Sequence, residues 1–326
     1  MTLLVDAMDS ERTRALVATV QAWPPTRRRA ANLRVLQQPP LFDIEAVSAC
    51  NIVCEFCPRD LMTRPETLMS EETFAAVCNL LPQGAVVMFS GLGDSILHPK
   101  LPDFVRMLVA QDVSPCLITN GIRLTPERQG ALIEAGIAQF QISVHGLSDL
   151  DLRTIVTRGA NAAKVRSNAE YLAAHRPSGL RVRINFVETP ANADCRSEVQ
   201  AWADKLGFEF YYRRRHNRGG SLLSLGGAPA CHGCGVFAAV TFISVEGQIL
   251  PCVNDVTGGH PLGHVGSMTW SELLERKRGI ISNNAWPSIC ASCDDDYRWV
   301  ILGQGQVDAP SVEAEPDPLS LERPAS

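Results

Sequence analysis

"SACNIVCEFCPRD", residues 48–60, sets Cys50, Cys54 and Cys57 at gaps of three and two residues, with Pro58 behind the last. A closed zinc or iron–sulfur site takes four protein ligands. This run supplies three, and no further cysteine comes until Cys78. Either a distant residue completes the site, or the fourth position is left to something that is not protein. The residues just before it, "LFDIEAVS" (41–48), read as a strand, so the cysteine loop leaves directly from a strand end.

Working outward, the same unit of strand, loop and helix repeats. Further strands are expected at 85–91, 114–120, 138–144, 181–188 and 208–214, with helices such as 70–82 and 194–207 between them. Six strands alternating with helices predict an α/β fold with a parallel sheet. Six are too few for a closed eight-stranded barrel, so an open, partial (β/α)6 TIM-like barrel is expected over 41–215. Active sites of such folds gather at the C-terminal ends of the strands, where the cysteine loop lies. Residues 1–40 read as a short helix (10–22), ended by "WPP", and a connector (23–40). Residues 216–296, rich in Gly and Cys, read as a small second domain with a hairpin and one helix. The remainder, 297–326, acidic and Pro-rich from about 305, is expected to be a disordered tail.

The chain has 326 residues, 45% hydrophobic and 20% charged, with a net charge of -5. That charge argues against a nucleic-acid partner, since no basic surplus is present to neutralise phosphates. No apolar run reaches a membrane span, and the N-terminus shows no secretory pattern, so a cytoplasmic protein is expected. Eleven cysteines in such a protein point to metal or redox chemistry more than to disulfides. Eight of the eleven fall into tight groups: 50/54/57, 231/234, 252 and 290/293.

Cys50-x3-Cys54-x2-Cys57, with Phe56 before the last cysteine, resembles the radical S-adenosylmethionine (SAM) superfamily. The resemblance implies that three thiolates hold a [4Fe-4S] cluster whose fourth iron takes the amino and carboxylate groups of SAM. The missing ligand is then the co-substrate. It also implies a flavodoxin- or ferredoxin-type electron donor. "FSGLGDSILHP" (89–99) resembles the family's Gly-Gly-Glu-Pro motif, with Ser90, Gly91, Gly93 and Asp94 facing SAM. Leu92, Asp94 and Ser95 depart from it by replacing a glycine, the glutamate and the proline. "ITNG" (118–121) and "ISVHG" (142–146) also stand where relatives line the SAM site. Asn120 and Ser143 are therefore candidates, with Phe56 near adenine and Arg153 or Arg158 for the carboxylate.

The later cysteines resemble a twitch domain, the shortened form of the SPASM domain. This implies an auxiliary [4Fe-4S] cluster on Cys234, Cys252, Cys290 and Cys293, with Cys231 as a substitute for Cys234. A structural zinc site is the other reading of the same four residues. Hydrogen abstraction followed by loss of an electron and a proton is a dehydrogenation. Return of a hydrogen gives an epimer, and fragmentation a decarboxylation or other elimination. Cys195 is the candidate hydrogen donor, and Glu188 or His145 the candidate base. Twitch-bearing enzymes of this size resemble those acting on sugars, aminocyclitols or nucleosides in natural-product pathways. The forty residues before the first strand are short for a peptide-recognition domain, which favours a small molecule over a peptide substrate. The basic run Arg213–Arg218 suggests an anionic or hydroxylated ligand, or a brace between domains.

Overall fold

The computed structural model describes residues 10–224 and 233–307. Six strands stand in chain order and pair in parallel: β1 (Leu41–Ile44), β2 (Val86–Phe89), β3 (Ser114–Thr119), β4 (Gln139–Ser143), β5 (Arg181–Glu188) and β6 (Glu209–Arg214). They form the α/β partial barrel expected, and among the described residues no strand joins β6 back to β1. Alternation along the strands decides which face is apolar. Phe42 pairs in register with Val87, Leu117 with Phe140, and Phe140 with Val182, and all are fully or almost fully buried. The opposite face turns polar towards β5 and β6, where side chains pair across the strands. Glu209 takes both Arg181 and Arg183 at 2.8 Å. Cys78 and Cys116 are buried core thiols.

Past residue 232 the chain does not form a body apart. β7 (Val240–Ile243) adds to the same sheet, parallel to β1 on its free edge, and β8 (Gln248–Leu250) and β9 (Gly263–His264) follow antiparallel. The hairpin was expected; its docking on β1 was not. The helix Trp270–Ser282 opens on a Thr269–Glu272 capping box.

Two expectations about the ends are corrected. The connector 23–40 contains a helix, Pro25–Val35. Pro25 stands in its first turn, where the missing N–H costs nothing and the fixed φ already suits a helix; "WPP" therefore ends one helix and starts the next. The region from 297 is not all tail, because Tyr297–Val307 is a helix packed against the helices Ser10–Gln21, Pro25–Val35 and Gly235–Ala239. Trp299, Val300 and Leu302 are buried there, an apolar cluster that the polar composition of 308–326 masked. Residues 308–326 lie outside the described part.

Candidate active site

Every loop that leaves the C-terminal end of β1 to β4, and the turn after β6, contributes to one cavity of about 220 Å³. Cys50, Cys54 and Cys57, all half-buried, line it. Their loop is fastened on several sides. Val53 and Cys54 pair antiparallel with residues 156–158, and the Glu55 N–H donates to the Ile155 carbonyl at 2.9 Å. Asn120 Nδ2 donates to Asn51 Oδ1 at 2.9 Å and reaches Cys50 Sγ at 3.8 Å. Gly93 lies flush on the Val47 and Ala49 carbonyls, where a Cβ has no room. Burial pushes the Cys54 thiol up to about 12, and Cys57 and Cys50 beside it push the same way. Burial likewise raises Cys50, and desolvated thiols of this kind become thiolates when a cation or cluster joins them.

The cavity brings together six of the sequence candidates, Phe56, Gly91, Gly93, Asp94, Asn120 and Ser143. Asp94, however, spends its carboxylate on neighbouring loop and strand-end donors. One oxygen accepts from Thr119 Oγ1 at 2.9 Å and the Asn120 N–H at 3.0 Å, the other from the Ile96 N–H at 3.2 Å. Burial raises it to about 6 against the pull of these bonds. Asp94 thus ties the exit of β3 to the loop after β2.

His145 also lines the cavity, edge-on to Phe56 at 5.1 Å between ring centroids. Burial holds it down at about 4, and Nδ1 accepts the Val187 N–H at 3.2 Å. The neutral ring therefore carries its proton on Nε2, which makes it a donor and ill suited as a base.

The remaining candidates fall outside the cavity lining. Ser90 bonds Asp43. Arg153 and Arg158 are exposed, Arg158 in the ribbon opposite Val53; the lining arginines are instead Arg59, Arg166 and Arg218. Glu188 accepts from Tyr212 Oη at 3.0 Å and Arg196 at 3.4 Å. Cys195 caps the helix Arg196–Lys205 and is packed against the core. Strand-end position in sequence placed these residues near the mouth, but a side chain one position off the inward face, or a loop folded away, misses it.

Sequence reading missed Glu45. Its side chain is fully buried, and its carboxylate meets Arg64 at 2.6 Å, the Leu92 N–H at 3.0 Å and the Val245 N–H at 3.4 Å. Arg64 also donates to the Val256 carbonyl at 3.0 Å. One carboxylate therefore holds the loop after β2, the segment following the cysteine loop, and the β7–β8 turn. A charge in the apolar run "FDIEAV" was the available signal.

The second cysteine group is gathered from three distant segments. Arg298, almost fully buried, donates to the carbonyls of Cys290, Cys293 and Gly233 and so binds those segments together. Cys252 feels the fields of Cys234 and Cys293, and burial lifts Cys293 to about 12. Lys277 sits buried in the apolar stripe Leu273–Lys277–Ile281, bonded to the Val240 carbonyl at 2.8 Å and Thr241 Oγ1 at 2.9 Å. Burial lowers it to about 7, with Cys252 and Cys234 pulling the other way. Arg298 and Lys277, placed beside these thiols, suit a thiolate-held anionic cluster, whose charge they would help to balance. Among the described residues no three His, Cys, Asp or Glu side chains converge closely enough to hold a single ion, so the fit rests on donor and charge chemistry. Cys231 lies outside the described residues.

The Radical SAM superfamily profile matches residues 44–186. Over 242 residues the chain is 26% identical to an S-adenosyl-L-methionine-dependent 2-deoxy-scyllo-inosamine dehydrogenase of Niallia circulans, covering 72% of this chain and 81% of that one. It is 34% identical to a GTP 3',8-cyclase of Chlorobaculum tepidum over 147 residues, but that stretch is 44% of this chain and only 43% of the cyclase. A tungsten-containing aldehyde ferredoxin oxidoreductase cofactor-modifying protein of Pyrococcus furiosus is likewise matched over less than half its length, 48%. The fold is that of BtrN in complex with AdoMet and 2-DOIA, at a TM-score of 0.56 and 20% identity over 79% of this chain and 94% of the other. Among the described residues no helix is long and apolar enough to cross a membrane. With its three-cysteine loop at the strand ends and the profile running from β1 into β5, residues 44–186 of the chain form a radical SAM superfamily domain.

Proposed function

We propose that the protein is a SAM-dependent oxidoreductase that dehydrogenates a hydroxylated small molecule of the sugar, aminocyclitol or nucleoside class. The observation that carries the reading is the pairing of an open three-cysteine cavity with a closed four-cysteine group in one sheet. Cys50, Cys54 and Cys57 would hold a [4Fe-4S] cluster, and Cys234, Cys252, Cys290 and Cys293 a second one. When bound, the first cluster and SAM supply the hydrogen-abstracting chemistry. The chain's part is to fix the loops around SAM and exclude water through Phe56, Leu92 and Ile118. Oxidising a carbinol to a ketone removes the hydrogen atom on carbon, then the hydroxyl proton and one electron. The four-cysteine group gives the electron a destination. His145, with its proton on Nε2, offers the cavity a hydrogen-bond donor.

Oxidation is favoured over epimerisation because Cys195, the expected hydrogen donor, does not line the cavity. The extent of similarity to the Niallia circulans dehydrogenase supports the substrate class. A PqqA peptide cyclase of Streptomyces rochei is also similar, 26% identical over half of this chain (50%), so a peptide substrate is the second reading.

The test is anaerobic reconstitution, wild type beside the triple Cys50/Cys54/Cys57→Ala variant. About eight irons should fall to about four, and SAM cleavage should vanish. Wild type is then offered 2-deoxy-scyllo-inosamine and a panel of aminocyclitols, sugars and nucleosides. A keto product two mass units below one of them supports the reading. Zinc in the C-terminal group, or SAM cleavage surviving in the triple variant, would sink it.

A further inference from the structure

The basic run Arg213–Arg218 divides once its partners are followed. Arg213 meets Asp295 at 2.8 Å, Arg214 meets Asp296 at 2.6 Å, and Arg215 donates to the Leu223 carbonyl at 2.9 Å. These three brace the barrel against the segment after Cys293 and against their own loop. Arg218 differs. Among the described residues its guanidinium makes no hydrogen bond or ion pair, and it lines the cavity with Cys54 and Cys57.

Its backbone is unusual as well. At φ +51° it stands in the left-handed region, although it carries a Cβ. Such a conformation persists only where surrounding contacts impose it, and here they are explicit. The Asn217 N–H donates to Asp294 Oδ1 at 2.6 Å, and Asn217 Nδ2 donates to the Ser292 carbonyl. Asn217 Oδ1 accepts from the N–H groups of Asp294 and Gly220, both at 3.3 Å. Ser292 Oγ donates to the Gly219 carbonyl at 3.0 Å. Gly220, at φ +92°, lies so close that a Cβ would stand 2.5 Å from Ser292 Oγ. The turn 217–220 is thus stapled to the segment that carries Cys293, while the one side chain it strains points into the other site. The charge is felt by Cys54 and Cys57 on one side and by Cys252 on the other.

We propose that Arg218 is a shared counter-charge for both cysteine groups, which favours the reduced form of whatever cluster each holds and so sets the ease of electron movement between them. This rests on the two-cluster reading above. Each one-electron reduction adds negative charge, and a fixed cation nearby stabilises it. Half-buried in the cavity wall, Arg218 is screened by salt and water less than a fully exposed charge would be. Arginine holds its charge at every working pH, so the influence is permanent. Lysine retains the charge, while glutamine and methionine remove it at similar length.

The experiment is a redox titration of reconstituted holoprotein without substrate or SAM, followed by electron paramagnetic resonance, on wild type, Arg218→Gln and Arg218→Lys, each with its iron count. Arg218→Gln should keep about eight irons and move both midpoints to more negative potential, lowering the reduced-to-oxidised ratio about tenfold at fixed potential, or about 59 mV for one electron. Arg218→Lys should recover most of the shift. The proposal is overturned if, at full iron, neither midpoint moves, only one moves, or Lys shifts them as far as Gln. If Arg218→Gln loses iron, Arg218→Met is read in its place, and iron loss in both overturns the proposal in favour of a structural role. About four irons in the wild type would instead strike the two-cluster reading, a result separable from all of these.

Discussion

The two cysteine groups of this protein share a ligand type and little else. The first comes from one loop of eight residues, half-buried, beside a cavity of about 220 Å³ and held in place by neighbouring loops. The second is collected from residues as far apart as Cys234 and Cys293 and is drawn together by Arg298, with Lys277 buried against it. An open site needs room for a ligand and therefore keeps its cations at the edges. A closed site needs its charge balanced from within, because no solvent or co-substrate will do it.

That contrast can be broken most severely at Arg298. Arg298→Met should release the segments of Cys290, Cys293 and Gly233 together, costing about 3–5 kcal/mol as expected when one partner of a buried charged set is removed. Iron should fall from about eight to about four, with the SAM-binding cluster retained. Iron analysis and denaturant unfolding check it, and even loss from both sites would show the two groups to be one structural unit.

The next test concerns the cavity wall. His145 is neutral in the fold, held at about 4 where the unfolded chain has its ordinary 6.5. Its folded value is depressed, so the unfolded state binds the extra proton. The stability is therefore complete above pH 6.5 and is lost as pH falls towards 4, by about 3 kcal/mol. His145→Gln keeps an acceptor for the Val187 N–H and removes this acid sensitivity. Urea midpoints at pH 7 and pH 5 should then differ less than in wild type; equal differences would remove His145 as the cause.

The smallest effect is expected at the joint between the regions. Glu45→Gln keeps the shape of the side chain but weakens its hold on Arg64, Leu92 and Val245 together. KM for SAM should rise about tenfold, equivalent to about 1.4 kcal/mol, with both clusters and kcat nearly unchanged. A fall in kcat at constant KM would mean that Glu45 acts on the chemistry and does not merely position the loop after β2.

Much of this was legible beforehand. The spacing of Cys50, Cys54 and Cys57 and the alternation in "LFDIEAVS" are local patterns, and local patterns need no tertiary information to be read. The six strands stand where apolar periodicity placed them. Errors came where one composition covered two behaviours, as with the buried helix Tyr297–Val307 beside the polar stretch after it, or "WPP" closing one helix and opening another.

Side-chain destinations were another matter. Arg153, Arg158 and Arg218 are equal in sequence, each near a strand-end loop, yet only Arg218 lines the cavity. Asp94 sits in the expected motif but spends its carboxylate on Thr119, Asn120 and Ile96. The chemistry available to the chain was set by residue type and spacing, because ligand atoms and strand periodicity are properties of a few neighbours. Which charge is paired, which is buried and which faces the cavity depends on partners tens or hundreds of residues away, and only the packed sheet with its loops brought those together.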